Sequence, residues 1–234
     1  MKRLLVAAAA LAATVAAAMP SAAQLNVQRR ADLAKAVVLE PGQGAILVGF
    51  RRPDAMSAGK SGALSFLRYD PVARDMVLQP RGARRAGDRA TYTVTVTSAD
   101  RRLDMDYALM IVSEGDYVLA GATPGPTKIV DNTFCLGAPT FRVNAGEIVY
   151  FGDVTPYLAV KLVDGSRTSA MAWSSHPDDA RDALAGHPAL AEAFRPAAIR
   201  NEATFACAGQ TMLAYAVPGA PDLEDAPAPA APAE

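Results

Sequence analysis

The seven residues TYTVTVT, Thr91 to Thr97, set Tyr92, Val94 and Val96 in strict alternation with four threonines. A period of two places the apolar side chains on one face and the hydroxyls on the other, the pattern of a strand buried on one side and wetted on the other. A helix would mix the two types around its circumference and restrict χ1 at each β-branched position. This stretch commits part of the chain to a sheet, and other runs extend the commitment. AILVGF, Ala45 to Phe50, is a continuous apolar run that suits a strand buried on both faces, and ALSFLRY (Ala63 to Tyr69) and DMVLQ (Asp75 to Gln79) are further strand candidates.

Glycines punctuate the later runs. YALMIV, Tyr107 to Val112, is followed by Ser113-Glu114-Gly115 and DYVLAGA, which predicts a hairpin turning at the glycine. Phe141-Arg142-Val143, Asn144-Ala145-Gly146 and then EIVYFGDV repeat the device, and YLAVKLV ends at Asp164-Gly165, another turn. Short strands at this spacing predict a mainly β fold, an antiparallel β-sandwich of residues 41–217. SSHPDDARDALAGHPALAEAF breaks the rhythm. Pro177 suits a first helical position, Asp178 and Asp179 suit a helix N-terminus, and Gly186 ends the run, so a short helical insertion is expected near residues 177–194, with Leu190 and Phe194 facing inward. Residues 24–40 form a leader of uncertain structure, expected to be partly helical around Arg30 to Val38. Residues 218–234, rich in Pro and Ala, have almost nothing large to bury and are not expected to fold.

The segment V-S-E-G-D-Y-V-L, Val112 to Leu119, and the segment F-R-V-N-A-G-E-I-V-Y-F-G, Phe141 to Gly152, carry a Gly-x-Tyr and Val-x-x-Gly-x-x-x-Tyr punctuation. This resembles small secreted bacterial β-sandwiches, the transthyretin-like and carboxypeptidase-regulatory-like modules, over roughly Ala45 to Val163. The resemblance implies the sandwich fold and no shared catalytic residues.

Residues 1–23 have the form of a secretory signal peptide, with Lys2 and Arg3 ahead of an apolar middle and a small-residue exit at Ser21-Ala22-Ala23. The apolar middle is shorter than the roughly twenty residues a spanning helix needs, so cleavage after Ala23 and a periplasmic or secreted location in a Gram-negative bacterium are expected. No transmembrane segment is expected after cleavage. Cys135 and Cys207 are the two cysteines, and an even count in an exported chain predicts a disulfide, with free buried thiols as the other reading. Closing that loop would stabilise the fold by roughly 4 kcal/mol in the chain-entropy model.

The formal net charge is -1, and loss of Lys2 and Arg3 takes it to -3, which does not favour nucleic acid as a partner. The charge is uneven: residues 24–102 hold 14 Lys and Arg against 7 Asp and Glu, and residues 103–234 hold 7 against 17. Arg81, Arg84, Arg85 and Arg89 share one loop sequence, RGARRAGDR, which is either an anion-binding surface or a solvated loop.

Catalytic signatures are weak. Ala55 to Gly62 ends in Gly59-Lys60-Ser61, but Asp54 stands where a phosphate-binding P-loop needs glycine, and there is no Gly-x-Ser-x-Gly elbow. Asp104 with Asp106, and Glu114 with Asp116, place carboxylates two apart as paired-acid chemistry requires. His176 and His187 are the only histidines, spaced eleven apart, and His176 with Asp178 and Asp179 is the one candidate metal or hydrolytic cluster. No cofactor is predicted. The expectation is a binding or structural role towards an envelope component or anionic ligand, with a periplasmic hydrolase or metal-dependent enzyme built on His176 as the alternative.

Overall fold

The computed structural model describes residues 29–51, 63–98, 105–123, 132–161, 163–204, 212–214, 217 and 219–220. The chain is mainly β, with two curled, largely antiparallel sheets and two short helices. The strands are β1 (Arg29–Arg30), β2 (Gln43–Arg51), β3 (Ala63–Asp70), β4 (Asp75–Met76), β5 (Thr93–Thr97), β6 (Met105–Ser113) and β7 (Gly115–Thr123). They continue with β8 (Asn132–Val143), β9 (Ile148–Lys161) and β10 (Arg167–Ser174). Helices α1 (Pro177–Asp182) and α2 (Pro188–Glu192) follow, then β11 (Phe194–Pro196), β12 (Arg200–Thr204) and β13 (Met212–Ala214). One sheet runs β1-β6-β2-β9-β10, with β11 added to β9; the other runs β12-β8-β7-β3-β4, with β5 added to β3 and β13 to β8.

The larger core draws on strands of both sheets. Phe66 on β3 meets Phe151 on β9 edge-on at 5.1 Å, and Phe141 on β8 lies 5.5 Å from Phe66 and 5.4 Å from Phe151. Offset and edge-on aromatic contacts of this kind add about 0.5–1.5 kcal/mol each beyond the area they bury. A second core covers the other face of the first sheet, where Leu47, Leu109, Ile148 and Tyr150 pack against Ala180, Leu184, Leu190 and Phe194. Two-sided cover explains why Gly44 to Phe50 are all buried, as a continuous apolar run demands. In β5, Val94 and Val96 are fully buried while Thr93 and Thr95 are exposed, so the alternation holds from Thr93 to Val96; Thr91, before the strand, is buried and Tyr92 only partly so. The helical insertion forms where expected, with Leu190 and Phe194 buried.

Several expectations are corrected. β6 and β7 are not a hairpin: β6 pairs with β1 and β2, β7 pairs with β3 and β8, and the chain crosses from one sheet to the other at Glu114. β8 and β9 likewise belong to different sheets. A glycine turn reverses a chain within a sheet or carries it to another, and runs that are apolar on both faces are compatible with either. At the first crossing, the guanidinium of Arg68 lies against Gly115, so close that a Cβ there would stand 2.7 Å from Arg68 Nη2. The pairing is also mixed: β2 runs parallel to β9, as do β11 to β9 and β13 to β8. Residues 30–38 form no helix; Arg29 and Arg30 pair with β6, and the following residues make a turn in which Lys35 N–H donates to Asp32 O at 2.9 Å. Of DMVLQ only Asp75 and Met76 are strand. No helix among the described residues is long and apolar enough to cross a membrane. Cys135 lies on β8, but its side chain and all of Cys207 fall outside the described residues, and the predicted bridge with them.

Candidate functional site

A single rung crosses the first sheet from Tyr107 on β6 through Gly49 on β2 and Asp153 on β9 to Ser174 on β10. Immediately before it, β9 carries a bulge: Leu47 faces Tyr150 but Val48 faces Gly152, leaving Phe151 as the extra residue. The freed carbonyl of Phe151 accepts a hydrogen bond from Trp173 Nε1 at 3.0 Å. The bulge inverts the alternation of the strand, since Phe151 and Val154, three apart, both enter the larger core. For the same reason Tyr150 and Asp153, also three apart, share the opposite face and meet: Tyr150 Oη donates to Asp153 Oδ1 at 2.6 Å.

Asp153 is 1% exposed, and a buried carboxylate requires partners. Beyond β10 the chain turns back over the rung, so that His176, at the start of α1, brings Nδ1 to 2.7 Å from Asp153 Oδ2. The carboxylate accepts, so Nδ1 carries the hydrogen; the His176 side chain as a whole is half exposed. The His176 amide donates to Tyr150 Oη at 3.1 Å, and Arg51 Nη2 stands 3.8 Å from Asp153 Oδ2. Space for the carboxylate comes from Gly49, where a Cβ would lie 2.1 Å from Asp153 Oδ1. Burial pushes the phenols of Tyr150 and Tyr107 well above the ordinary tyrosine range; at Tyr150 the hydrogen bond to Asp153 adds to this, and at Tyr107 the Asp153 charge does. Among the described residues, the buried Tyr107 hydroxyl has no hydrogen-bond partner.

The predicted cluster of His176, Asp178 and Asp179 is thus rearranged. His176 is engaged by Asp153, which the sequence reading did not single out, while Asp178 and Asp179 are exposed in the first turn of α1. Among the described residues no three or more His, Cys, Asp or Glu are grouped to hold a metal ion. His187 Nε2 lies 2.8 Å from the Leu33 carbonyl and ties α2 to the turn at residues 32–35. The carboxylate pairs are not brought together as acids: Asp116 forms an ion pair with Arg142 at 2.7 Å, and Asp106 accepts from Ser98 Oγ at 3.0 Å, with Asp104 outside the described residues.

The arginine loop is more ordered than a solvated loop need be. Both its ends are held by one residue of β3, since Arg68 N–H donates to Tyr92 O and Arg68 O accepts from Val77 N–H, each at 2.8 Å. Residues 78–91 therefore form a closed loop with a common base. Thr91 and Ser113 lock that base reciprocally: Ser113 Oγ accepts from Thr91 N–H at 2.8 Å and Thr91 Oγ1 from Ser113 N–H at 2.9 Å. Inside the loop, Arg84 donates to the carbonyls of Asp88 and Ala90 at 2.9 and 2.8 Å and lies over the Tyr92 ring. Asp88 accepts from Ala90 N–H and Tyr92 Oη, and the Ala90 bond, followed by the tyrosine, holds its carboxyl below the usual carboxylate range. Arg84 is thus a strut. Arg81, Arg85 and Arg89 are exposed, and none of the described residues pairs with their guanidinium groups.

No protein-family model, curated protein or solved structure compared with the chain matches it.

Proposed function

We propose that the chain is an exported β-sandwich protein of the Gram-negative periplasm, akin in build to the transthyretin-like and carboxypeptidase-regulatory-like modules, that binds an anionic component of the cell envelope. The leader at residues 1–23 supports export. The observation that carries the binding reading is the loop at residues 78–91, where one arginine is consumed in bracing and three point outward on a held base. Preordering of this kind lowers the entropy cost of association, and like-charged side chains held together raise the local potential felt by an anion.

Fractionation of cells producing the full chain tests this reading. The expected result is a periplasmic protein lacking residues 1–23, retained on washed envelopes at low salt and released at high salt, with both cysteines in one disulfide. An unprocessed cytoplasmic protein, or one that washes free of the envelope at low salt, would overturn it.

A second reading, an enzyme with His176 as general base, is favoured by the hold of Asp153 on Nδ1, which leaves Nε2 as the accepting nitrogen of a half-exposed side chain. Hydrolysis of p-nitrophenyl acetate by the purified protein, lost in His176→Gln and retained in His187→Gln, is its expected signature. Equal rates in all three proteins dismiss it.

A further inference from the structure

One edge of β9 is shared by two strands that do not meet. β2 occupies the other edge, so β10 pairs with β9 only as far as Asp153 opposite Ser174, and β11 pairs only Phe194 to Pro196 with Ile148 to Tyr150. At Phe151 and Gly152, among the described residues, no strand pairs with β9 on this side. The indole of Trp173 fills part of the opening: its Nε1 donates to Phe151 O at 3.0 Å, and a Cβ at Gly152 would collide with it. What is left is a cavity of about 210 Å³ bounded by Trp173, the link from β11 to β12 and the segment that begins at Val217. Asn201 holds that segment in place, its Oδ1 accepting from Val217 N–H at 2.8 Å.

The lining selects what can enter. Phe151, Ile199 and Val217 are buried, while Trp173, Ala197 and Ala220 are half-buried and packed against the larger core. Among the described residues no charged side chain lines the cavity, so a charged guest would give up its hydration with no counter-charge in return. Trp173 Nε1 has only a donor to offer and has spent it, and the Tyr150 hydroxyl is committed to Asp153 and the His176 amide. Ser175, exposed at the rim, supplies the one side-chain hydroxyl of the lining that no other described residue engages. An apolar cavity of about 150 Å³ holds benzene, so about 210 Å³ takes one ring with about two or three further heavy atoms.

We infer that this cavity is a binding site for a small uncharged alcohol, one ring in size, whose apolar body lies among Trp173, Ile199 and Val217 and whose hydroxyl meets Ser175. The site goes beyond the envelope-binding reading, since no residue of the arginine loop lines it. Two of its walls are fixed before a ligand arrives, Trp173 by its bond to β9 and Val217 by Asn201, which lowers the ordering cost of association.

Trp173 is the only tryptophan of the chain, so its emission reports on the site directly. Benzyl alcohol added to the purified protein should move that emission to shorter wavelength along a saturating curve, with a midpoint on the order of 1 mM, the strength open to so few atoms. Benzoate and benzylammonium, near in shape but charged, should bind at least about tenfold more weakly. Ala197→Leu and Ala220→Phe each put carbon into the cavity and should weaken binding about tenfold or more, with the β-sheet circular dichroism of the parent. Should one of these variants fail to fold, the other and the charged compounds decide. A response that rises linearly without saturating, equal binding of the charged compounds, or parent-like binding in a folded variant with the cavity filled would overturn the inference.

Discussion

His176 Nδ1 lies 2.7 Å from Asp153 Oδ2, although the two residues are 23 apart in sequence and only the carboxylate is buried. The inequality sets the expected cost of breaking the pair from each side. Asp153→Ala strips Tyr150 of its acceptor inside the protein and leaves Arg51 and His176 without their counter-charge, and it should cost about 3–5 kcal/mol, the range for breaking a buried charged network. His176→Ala leaves Asp153 bonded to Tyr150, and solvent reaches the vacated side, so about 1 kcal/mol is expected. Urea unfolding of the two variants checks the order; a larger loss in His176→Ala would contradict it.

Gly49 and Asp153 should be energetically coupled. A Cβ at residue 49 would stand 2.1 Å from Asp153 Oδ1 and 3.0 Å from Tyr107 Cε1. Gly49→Ala should therefore cost about 1–3 kcal/mol as overpacking. Removing the carboxylate removes the nearer clash, so the same substitution in an Asp153→Ala background should cost at least about 1 kcal/mol less. A double-mutant cycle measures this, and strict additivity would refute it.

Alkaline pH should unfold the protein through its tyrosines. Burial, with the Glu202 charge adding, pushes Tyr69 from 10.0 to about 12, and Tyr107 and Tyr150 shift in the same direction. The neutral phenol is the form the fold favours. Its contribution is complete below pH 10 and is lost as pH rises towards 12, because the unfolded chain ionises first. Tyrosinate absorbance should rise together with the loss of β-sheet circular dichroism. Ionisation of most tyrosines with the sheet intact would disprove the assignment.

Asn201 acts as a clip for the chain near residue 217. Its Oδ1 accepts from Val217 N–H at 2.8 Å and its Nδ2 donates to Val217 O at 3.0 Å, so one buried side chain replaces a strand partner. Asn201→Ala leaves the Val217 N–H without its acceptor, while Val217 O keeps the Ala220 N–H at 3.2 Å, and should cost about 1–3 kcal/mol. Limited proteolysis should then cut after residue 204 sooner than in the parent, with the remainder of the chain resistant. Unchanged cutting would argue against the clip.

Local pattern carried a good deal of this fold. The alternation around Val94 and Val96, the two-sided burial of Ala45 to Phe50 and the helical insertion opened by Pro177 all follow from periodicity and propensity over a few residues, and all are found. Sheet membership is another matter. Nothing local distinguishes a turn at Gly115 that folds back from one that crosses over, because the choice belongs to what waits on the far side, here Arg68, Ser113 and Thr91. Asp153 could not be found by alternation, since an ordinary strand would put it opposite Tyr150. Nor does the spacing of RGARRAGDR reveal that Arg84 turns inward while its neighbours face out. The sequence by itself determined the main extended runs, the helical insertion after Pro177 and where the charges lie along the chain, since those depend on near neighbours, whereas residues 30–38 and Val77 to Gln79 departed from their local reading. The bulge at Phe151, the partner of His176 and the division of labour among the arginines were decided by tertiary structure, because each depends on burial that exists only once distant segments meet.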